Sequence, residues 1–229
     1  MEEALVIIPA RAGSKGVPGK NKKMLGGIPL IGHTLFAALE VFDVSQICIS
    51  TDDSEIIEYA ESLGIEVPFI RPVHLCGDDV GTYEVLMHAI DFYANMGLVF
   101  KRIVLLQPTS PFRKGRHIGE AFQLFRPDLD MVVSVKKTKV NPYFVLFEED
   151  ENGFLQKSKK GDFARRQDVP DVWEYNGAIY IINAESLQKA RLSEFTKVKK
   201  YVMDEISSHD IDTPLDWLIA ETILEKIAF

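Results

Sequence analysis

Residues 4–21 read Ala4-Leu5-Val6-Ile7-Ile8-Pro9-Ala10-Arg11-Ala12-Gly13-Ser14-Lys15-Gly16-Val17-Pro18-Gly19-Lys20-Asn21. Ala4–Ile8 is an unbroken apolar run closed by a proline, the pattern of a strand buried on both faces. The loop behind it extends through Gly27 and holds five of the fifteen glycines of the chain. Glycine lets backbone N–H groups come close to a ligand, and Arg11, Lys15 and Lys20 alternate with those glycines. Cations interleaved with accessible N–H groups suit phosphate oxygens. No Gly-Lys-Ser/Thr closes the loop in Walker register, and no G-x-G-x-x-G is present. A loop after the first strand of an open α/β sheet lies at the edge where such sheets bind ligands.

Working outward, the periodicity alternates between strand and helix. Pro29–Val41 has helical spacing of apolar residues, Ile47–Ser50 reads as a strand, and Thr51-Asp52-Asp53 opens a helix closed by Gly64. Val67–Ile70 is expected as a short strand and Thr82–Met96 as a helix. Ile103–Gln107 (strand), Lys114–Phe125 (helix) and Met131–Val135 (strand) continue the alternation. This predicts a mainly parallel α/β sheet covered on both faces. The rhythm breaks at residues 138–176, where Tyr143–Phe147 and Gly153–Leu155 flank a candidate hairpin turn, so this segment is expected to project as an arm. Gly177–Ile182 and Val198–Met203 return as strands. Thr213 and Pro214 start a last helix, with Asp216 in its first turn. Without repeats or linkers, residues 1–229 read as a single domain with an insertion.

The chain has 229 residues and a net charge of −8, which argues against non-specific binding to nucleic acid or anionic membrane. Five cations nevertheless lie within residues 1–23, so one cationic corner stands out on an acidic protein. No apolar run approaches the roughly 18–20 residues that span a bilayer. The acidic start is a poor signal peptide, and Cys48 and Cys76 have no metal spacing, so the cytoplasm is the expected compartment. Asp210 and Asp212, separated by Ile211, point the same way in an extended segment. Such hard oxygen ligands suit Mg2+ held jointly with substrate phosphates. Gln107 ends a buried strand just before Pro108-Thr109-Ser110-Pro111, a position facing a ligand; Ser110 and Arg113 are expected to fix that turn. Lys22 and Lys23 are read as solvated, and His209 as structural.

The segment IPARAGSKGVPGKN resembles the opening signature of the N-acylneuraminate cytidylyltransferases, the CMP-sialic acid synthetases. The resemblance continues through LLQPTSPFR (105–113), RRQDVP (165–170), YNGAIYI (175–181) and DIDTPLDW (210–217), in family order over essentially the whole chain. It implies a Rossmann-like nucleotidyltransferase fold with a protruding dimerisation arm at about 138–176, and a homodimer. The implied reaction is transfer of CMP from CTP to the anomeric hydroxyl of a nine-carbon 2-keto-3-deoxy sugar acid, with release of pyrophosphate. By this similarity Arg11 and Lys20 would hold the triphosphate, aided by Ser14 and Lys15, with Asn21 nearby. Backbone around Ala10 and Arg11 would read the cytosine edge, Arg71 would lie near the base and Thr82, also a suitable helix N-cap, near the cytidine. Gln107 and Asn176 would contact the sugar, Arg165 would grip its carboxylate, and Asp210 and Asp212 would bind Mg2+, with Asp212 assisting the attacking hydroxyl. Ala12 stands where many relatives have glycine, which requires its φ to stay negative. Legionaminic or pseudaminic acid is the alternative substrate, and a non-catalytic nucleotide-binding regulator is the alternative of another class.

Overall fold

A computed structural model of the chain describes residues 2–13 and 15–226. In chain order the elements are β1 (Glu2–Pro9), β2 (Met24–Leu25), β3 (Ile28–Pro29), α1 (Leu30–Leu39), β4 (Ile47–Ser50) and α2 (Ser54–Ser62). They continue with α3 (Thr82–Asn95), β5 (Phe100–Leu106), α4 (Gly115–Gln123), β6 (Met131–Lys137), β7 (Phe147–Glu149) and β8 (Leu155–Lys157). The last are β9 (Trp173–Asn183), α5 (Ala184–Lys189), β10 (Val198–Val202) and α6 (Pro214–Lys226). A six-stranded sheet has the order β10-β6-β9-β5-β1-β4. Strand β9 pairs antiparallel with both β5 and β6, and the other pairings are parallel. The sheet is thus mainly parallel, as the alternating pattern predicts.

Alternation along the strands divides the core between two faces. Ala4, Val6 and Ile8 of β1 pack with Ile31, Leu35, Ile56 and Ala60 from α1 and α2. Leu5 and Ile7 pack on the other side with Leu86, Ala89 and Ile90 of α3. The chain therefore crosses from one face to the other between α2 and α3, and continues outward from the opposite side of β1. That reversal makes the ends of β1 and β5 a topological switch point, where a crevice opens. Cys48 is buried in the core and burial pushes its thiol up to about 12, so it stays an inert thiol; it and Cys76 are both free.

Three local differences from the expected elements have plain causes. Val67–Ile70 forms no strand: Pro68 lacks a donor, and beyond Arg71 N–H to the Thr51 carbonyl (2.7 Å) no ladder develops. The glycine-rich loop ends in a hairpin, β2–β3, turned by Gly26 and Gly27 at φ 58° and 82°, conformations that a two-residue turn of this type demands. The return strand starts at Trp173 and carries an irregularity, because Val133 pairs with Tyr180 while Val135 pairs with Tyr175. The extra residues on β9 form a bulge around Gly177, whose φ is 74°. Ser134 holds that bulge, its hydroxyl donating to Asn176 Oδ1 (2.5 Å) and accepting from Ile179 N–H (2.8 Å).

Between β6 and β9 the described chain has the short hairpin β7–β8, with its turn at 150–154 rather than 148–152. Asp150 Oδ1 closes the turn, accepting from the N–H groups of Asn152 and Phe154. All six strand residues are exposed, and Phe147, Phe154 and Leu155 show 46%, 66% and 68% of their surface to solvent. No helix among the described residues is long and apolar enough to cross a membrane.

Candidate active site

The crevice at the switch point has a volume of about 330 Å3 and is lined by Arg11, Lys20, Asn21, Arg71, Thr82, Gln107 and Asp212, among others. A third apolar cluster explains how residues so far apart in sequence meet here. Val17 from the glycine-rich loop and Ile211 from between the two aspartates are buried together with Leu25, Leu30, Phe112 and Trp217. Burial of these side chains, each favourable by about 1.5–3 kcal/mol, pins loop and carboxylates to the same base. Ile211 N–H also donates to the Thr109 carbonyl (2.9 Å), which seats the aspartate segment on the turn after β5. Gly16 crosses the Asp212 main chain so closely that a Cβ there would lie 1.8 Å from the Asp212 carbonyl oxygen.

Lys20 is buried and its ammonium donates to the Ile211 carbonyl (2.5 Å) and to Asp212 Oδ1 (3.1 Å). The cationic loop and the carboxylate pair are thus directly joined. Arg11 is half-buried; its Nη1 donates to the Cys76 carbonyl (2.9 Å) and its Nη2 to Asp78 Oδ1 (2.7 Å). Lys15 reaches the other oxygen of the same carboxylate at 2.9 Å. Asn21 donates from Nδ2 to the Arg11 carbonyl (3.1 Å), and Asp52 accepts from Ala12 N–H (2.8 Å), so the loop's path is held from both sides. Ala12 keeps φ negative, since no described residue other than glycine has positive φ. Ser14 lies outside the described residues.

Ala10 uses its N–H on the Ser50 carbonyl (2.9 Å) and its carbonyl on the Thr51 hydroxyl (2.5 Å). Its N–H is therefore committed to β4, leaving only a carbonyl lone pair to meet a base. Arg71 is buried, donating to Ser50 Oγ (3.0 Å) and to the Ser50 carbonyl (2.5 Å), and burial lowers its pKa. Thr82 is not the cap of α3: Gly81 holds that position, and Thr82 is the first helical residue. The helix begins one residue early because Gly81 takes the extended cap conformation, with Glu84 folded back over it.

Asp210 differs from its partner. One of its oxygens, Oδ1, is buried without a hydrogen-bond partner, whereas the Asp212 side chain is 71% exposed. The Thr109 hydroxyl lies near enough to favour the charged Asp210 but not in hydrogen-bond geometry, and its Oγ1 is unpaired too. Burial, reinforced by the neighbouring Asp212, pushes the Asp210 carboxyl above the usual range. Asp216 accepts from Asp212 N–H, Thr213 N–H and the Thr213 hydroxyl (3.1, 2.7 and 2.7 Å), so it belongs to the helix cap as expected. His209 is structural, its Nε2 lying 2.8 Å from the Asp216 carbonyl.

Gln107 reaches both this crevice and a second one of about 220 Å3, which Thr82 also borders. Leu105, Met131, Tyr175, Tyr180, Leu192 and Ser193 complete the second crevice. The α-carbon of Gly177 sits between Gln107 and Asp210, each 3.8 Å from where its Cβ would be. Arg113 lies fully buried behind this wall. It donates to the carbonyls of Gln107 (3.0 Å) and Ala178 (2.8 Å) and to the Thr34 hydroxyl (2.5 Å), and burial pushes its pKa down to about 9. The turn-fixing role expected of Arg113 thus extends to clamping β5 against the β9 bulge.

Two expected sugar residues line neither crevice. Asn176 is buried with its amide spent inside the protein, on Ser134, Ala178, Ser208 and Met203. Arg165 grips Asp168 bidentately, both contacts 2.8 Å, on the exposed segment between β8 and β9. Lys22 and Lys23 are not simply solvated. Lys22 pairs with Asp53 (3.2 Å) and Glu55 (2.6 Å) at the start of α2, and Lys23 stacks over Trp217. The contacts that Asp52, Asp78 and Gly16 make at the site escaped the sequence reading, since an acidic turn and a loop glycine look the same wherever they fold.

A sequence model of the family described as Cytidylyltransferase matches residues 5–226. The chain is 33% identical over 222 residues to the CMP-N,N'-diacetyllegionaminic acid synthase of Legionella pneumophila, covering 96% of each chain. It is 35% identical over 217 residues to an N-acylneuraminate cytidylyltransferase of Streptococcus agalactiae serotype V, covering 93% of this chain and 51% of that protein. Among solved structures, the CMP:2-keto-3-deoxy-manno-octonic acid synthetase complexed with CTP superposes with a TM-score of 0.70 at 18% identity, covering 98% of this chain and 99% of that one. With the loop, the switch-point crevice and the whole-length match in agreement, the chain belongs to the cytidylyltransferase family.

Proposed function

We propose that this CTP-dependent nucleotidyltransferase transfers CMP to the anomeric hydroxyl of a nine-carbon 2-keto-3-deoxy sugar acid and releases pyrophosphate. The observation that carries the reading is the meeting of the cationic loop with the aspartate segment through Lys20 and Gly16, where Lys20 and Asp212 line one crevice. Arg11, Lys15 and Lys20 would hold the triphosphate and stabilise charge developing on the departing pyrophosphate. The relatives named above act on legionaminic and N-acylneuraminic acids, which supports the nine-carbon class and keeps legionaminic acid as a second reading. A regulator without catalysis has no support, since loop and carboxylates are both intact.

Asp210 and Asp212 fit Mg2+: a buried, unpartnered oxygen lies beside an exposed carboxylate, both hard ligands. No cluster of three or more His, Cys, Asp or Glu side chains suited to a metal occurs among the described residues, so substrate oxygens would complete the shell. The bound ion would supply Lewis-acid charge at the α-phosphate and the attacking hydroxyl. Asp212, exposed to the crevice, would orient that hydroxyl and receive its proton. Gln107 would bind the sugar from between the two crevices. Arg165, which lines neither crevice, would reach a sugar carboxylate only across a subunit interface. The cytoplasm, where both free cysteines stay reduced, remains the expected compartment.

Pyrophosphate release from CTP and Mg2+ is expected with sialic, legionaminic or pseudaminic acid, and EDTA is expected to abolish it. Release only with an eight-carbon keto acid, or with none of the panel, would overturn the reading. A homodimer is proposed from the exposed apolar side chains of the hairpin, Phe147, Phe154 and Leu155. Sedimentation should then show a dimer that Phe154→Asp with Leu155→Asp converts to monomer; a monomeric wild type at micromolar concentration refutes it.

A further inference from the structure

One carboxylate already occupies the cations assigned to the nucleotide. Asp78 places Oδ1 at 2.7 Å from Arg11 Nη2 and Oδ2 at 2.9 Å from Lys15 Nζ, spanning the two as a pair of phosphate oxygens would. Arg11 is also held to the same turn through the Cys76 carbonyl, and Gly77 and Gly81 on either side line the crevice. From this arrangement, and resting on the reading of the loop as a triphosphate site, we propose that Asp78 is an internal competitor. It is displaced when nucleotide enters and returns to Arg11 and Lys15 as pyrophosphate leaves.

The energetics favour exchange over a permanent bridge. The side chains of Arg11, Lys15 and Asp78 are 28%, 77% and 45% exposed, and ion pairs this open to water are weak. A polyphosphate offers the same two cations several negative charges in place of one, so it wins the exchange. After CMP transfer the balance shifts back, because the phosphate chain is shorter and no longer tethered through the nucleotide. Lys15 foremost, then Arg11, holds the Asp78 carboxyl below the usual range, so it stays charged wherever phosphates are charged. Lys20 is paired differently, since its partner Asp212 belongs to the proposed metal site.

The test is calorimetric titration of wild type, Asp78→Asn and Asp79→Asn with inorganic pyrophosphate and with tripolyphosphate. Asp79 is also exposed and belongs to neither ion pair, so its variant controls for the change in net charge. Asp78→Asn is expected to bind both anions about three- to ten-fold more tightly, the range set by losing two exposed ion pairs. Asp79→Asn is expected to stay within about two-fold of wild type, because its carboxylate pairs with neither Arg11 nor Lys15 and an exposed, unpaired charge is screened by salt. Pyrophosphate should accordingly inhibit Asp78→Asn more strongly in turnover. Affinity of Asp78→Asn equal to that of Asp79→Asn, or weaker than wild type, overturns the competitor role. Tighter anion binding without turnover of any keto sugar would sustain the competitor and refute the proposed reaction; turnover with unchanged anion binding would do the reverse.

Discussion

Replacing Asp212 by asparagine is expected to lower kcat by roughly a thousand-fold, about 4 kcal/mol of barrier, while the fold and most CTP affinity survive. The reasoning starts from exposure. Asp212 shows 71% of its side chain to solvent, and its one cation partner, Lys20, also has the Ile211 carbonyl at 2.5 Å. Losing the carboxylate takes the ion-pair partner from the buried Lys20, but the ammonium keeps the Ile211 carbonyl and gains the asparagine oxygen, so only a modest drop in melting temperature is expected. Arg11 and Lys15 contact Cys76 and Asp78, not Asp212, and would keep their proposed hold on the phosphates. What disappears is one of the two carboxylates proposed to hold Mg2+ and the group proposed to take the hydroxyl proton. Neutralising Asp210 is a different experiment, because its oxygen is already buried without a partner, and asparagine there removes a desolvation cost as well as a proposed ligand. Measuring kcat and CTP binding separately on Asp212→Asn decides the matter. Turnover within ten-fold of wild type would remove Asp212 from the chemistry.

Gly16→Ala is expected to cost about a hundred-fold in kcat/KM, although the residue carries no functional group. The added Cβ would lie 1.8 Å from the Asp212 carbonyl oxygen, far inside contact distance, and that oxygen belongs to backbone. Either the loop lifts or the aspartate segment shifts. Both move cations and carboxylates apart by an ångström or so, and misplacement on that scale is expensive in catalysis. Overpacking of this kind also destabilises by about 1–3 kcal/mol, which a urea melt would show. Gly13→Ala is the matched control, since nothing lies within 4 Å of a Cβ there. Equal activity of the two variants would mean that the contact between loop and aspartates does not matter.

Most of the sheet was legible from one-dimensional pattern. Continuous apolar runs marked β1, β4, β5 and β6, and the 3.6-residue spacing marked α1 and α3, because burial on both faces or on one stripe leaves a local signature. The antiparallel insertion of β9 was not legible. A buried strand reads the same in either direction, and its neighbours are chosen by contacts with residues about 45 and 75 positions away. The hairpin turned by Gly26 and Gly27 carried a signal, two adjacent glycines between apolar residues, but strands of two residues are too short for periodicity to register.

The candidate site divides in the same way. By itself the sequence determined its chemical inventory: a glycine-rich loop with three alternating cations, an aspartate pair and a glutamine at a strand end. Those follow from residue type and near-neighbour spacing, which the chain states directly. Only the tertiary structure decided that Asn176 serves the β9 bulge, that Arg165 faces Asp168, and that Asp78 occupies the cations of the loop. It also joined Lys20 to Asp212 across 192 positions. The physical reason is that a polar side chain is claimed by whichever partner burial and geometry bring nearest, and that partner is set by packing across the whole sheet.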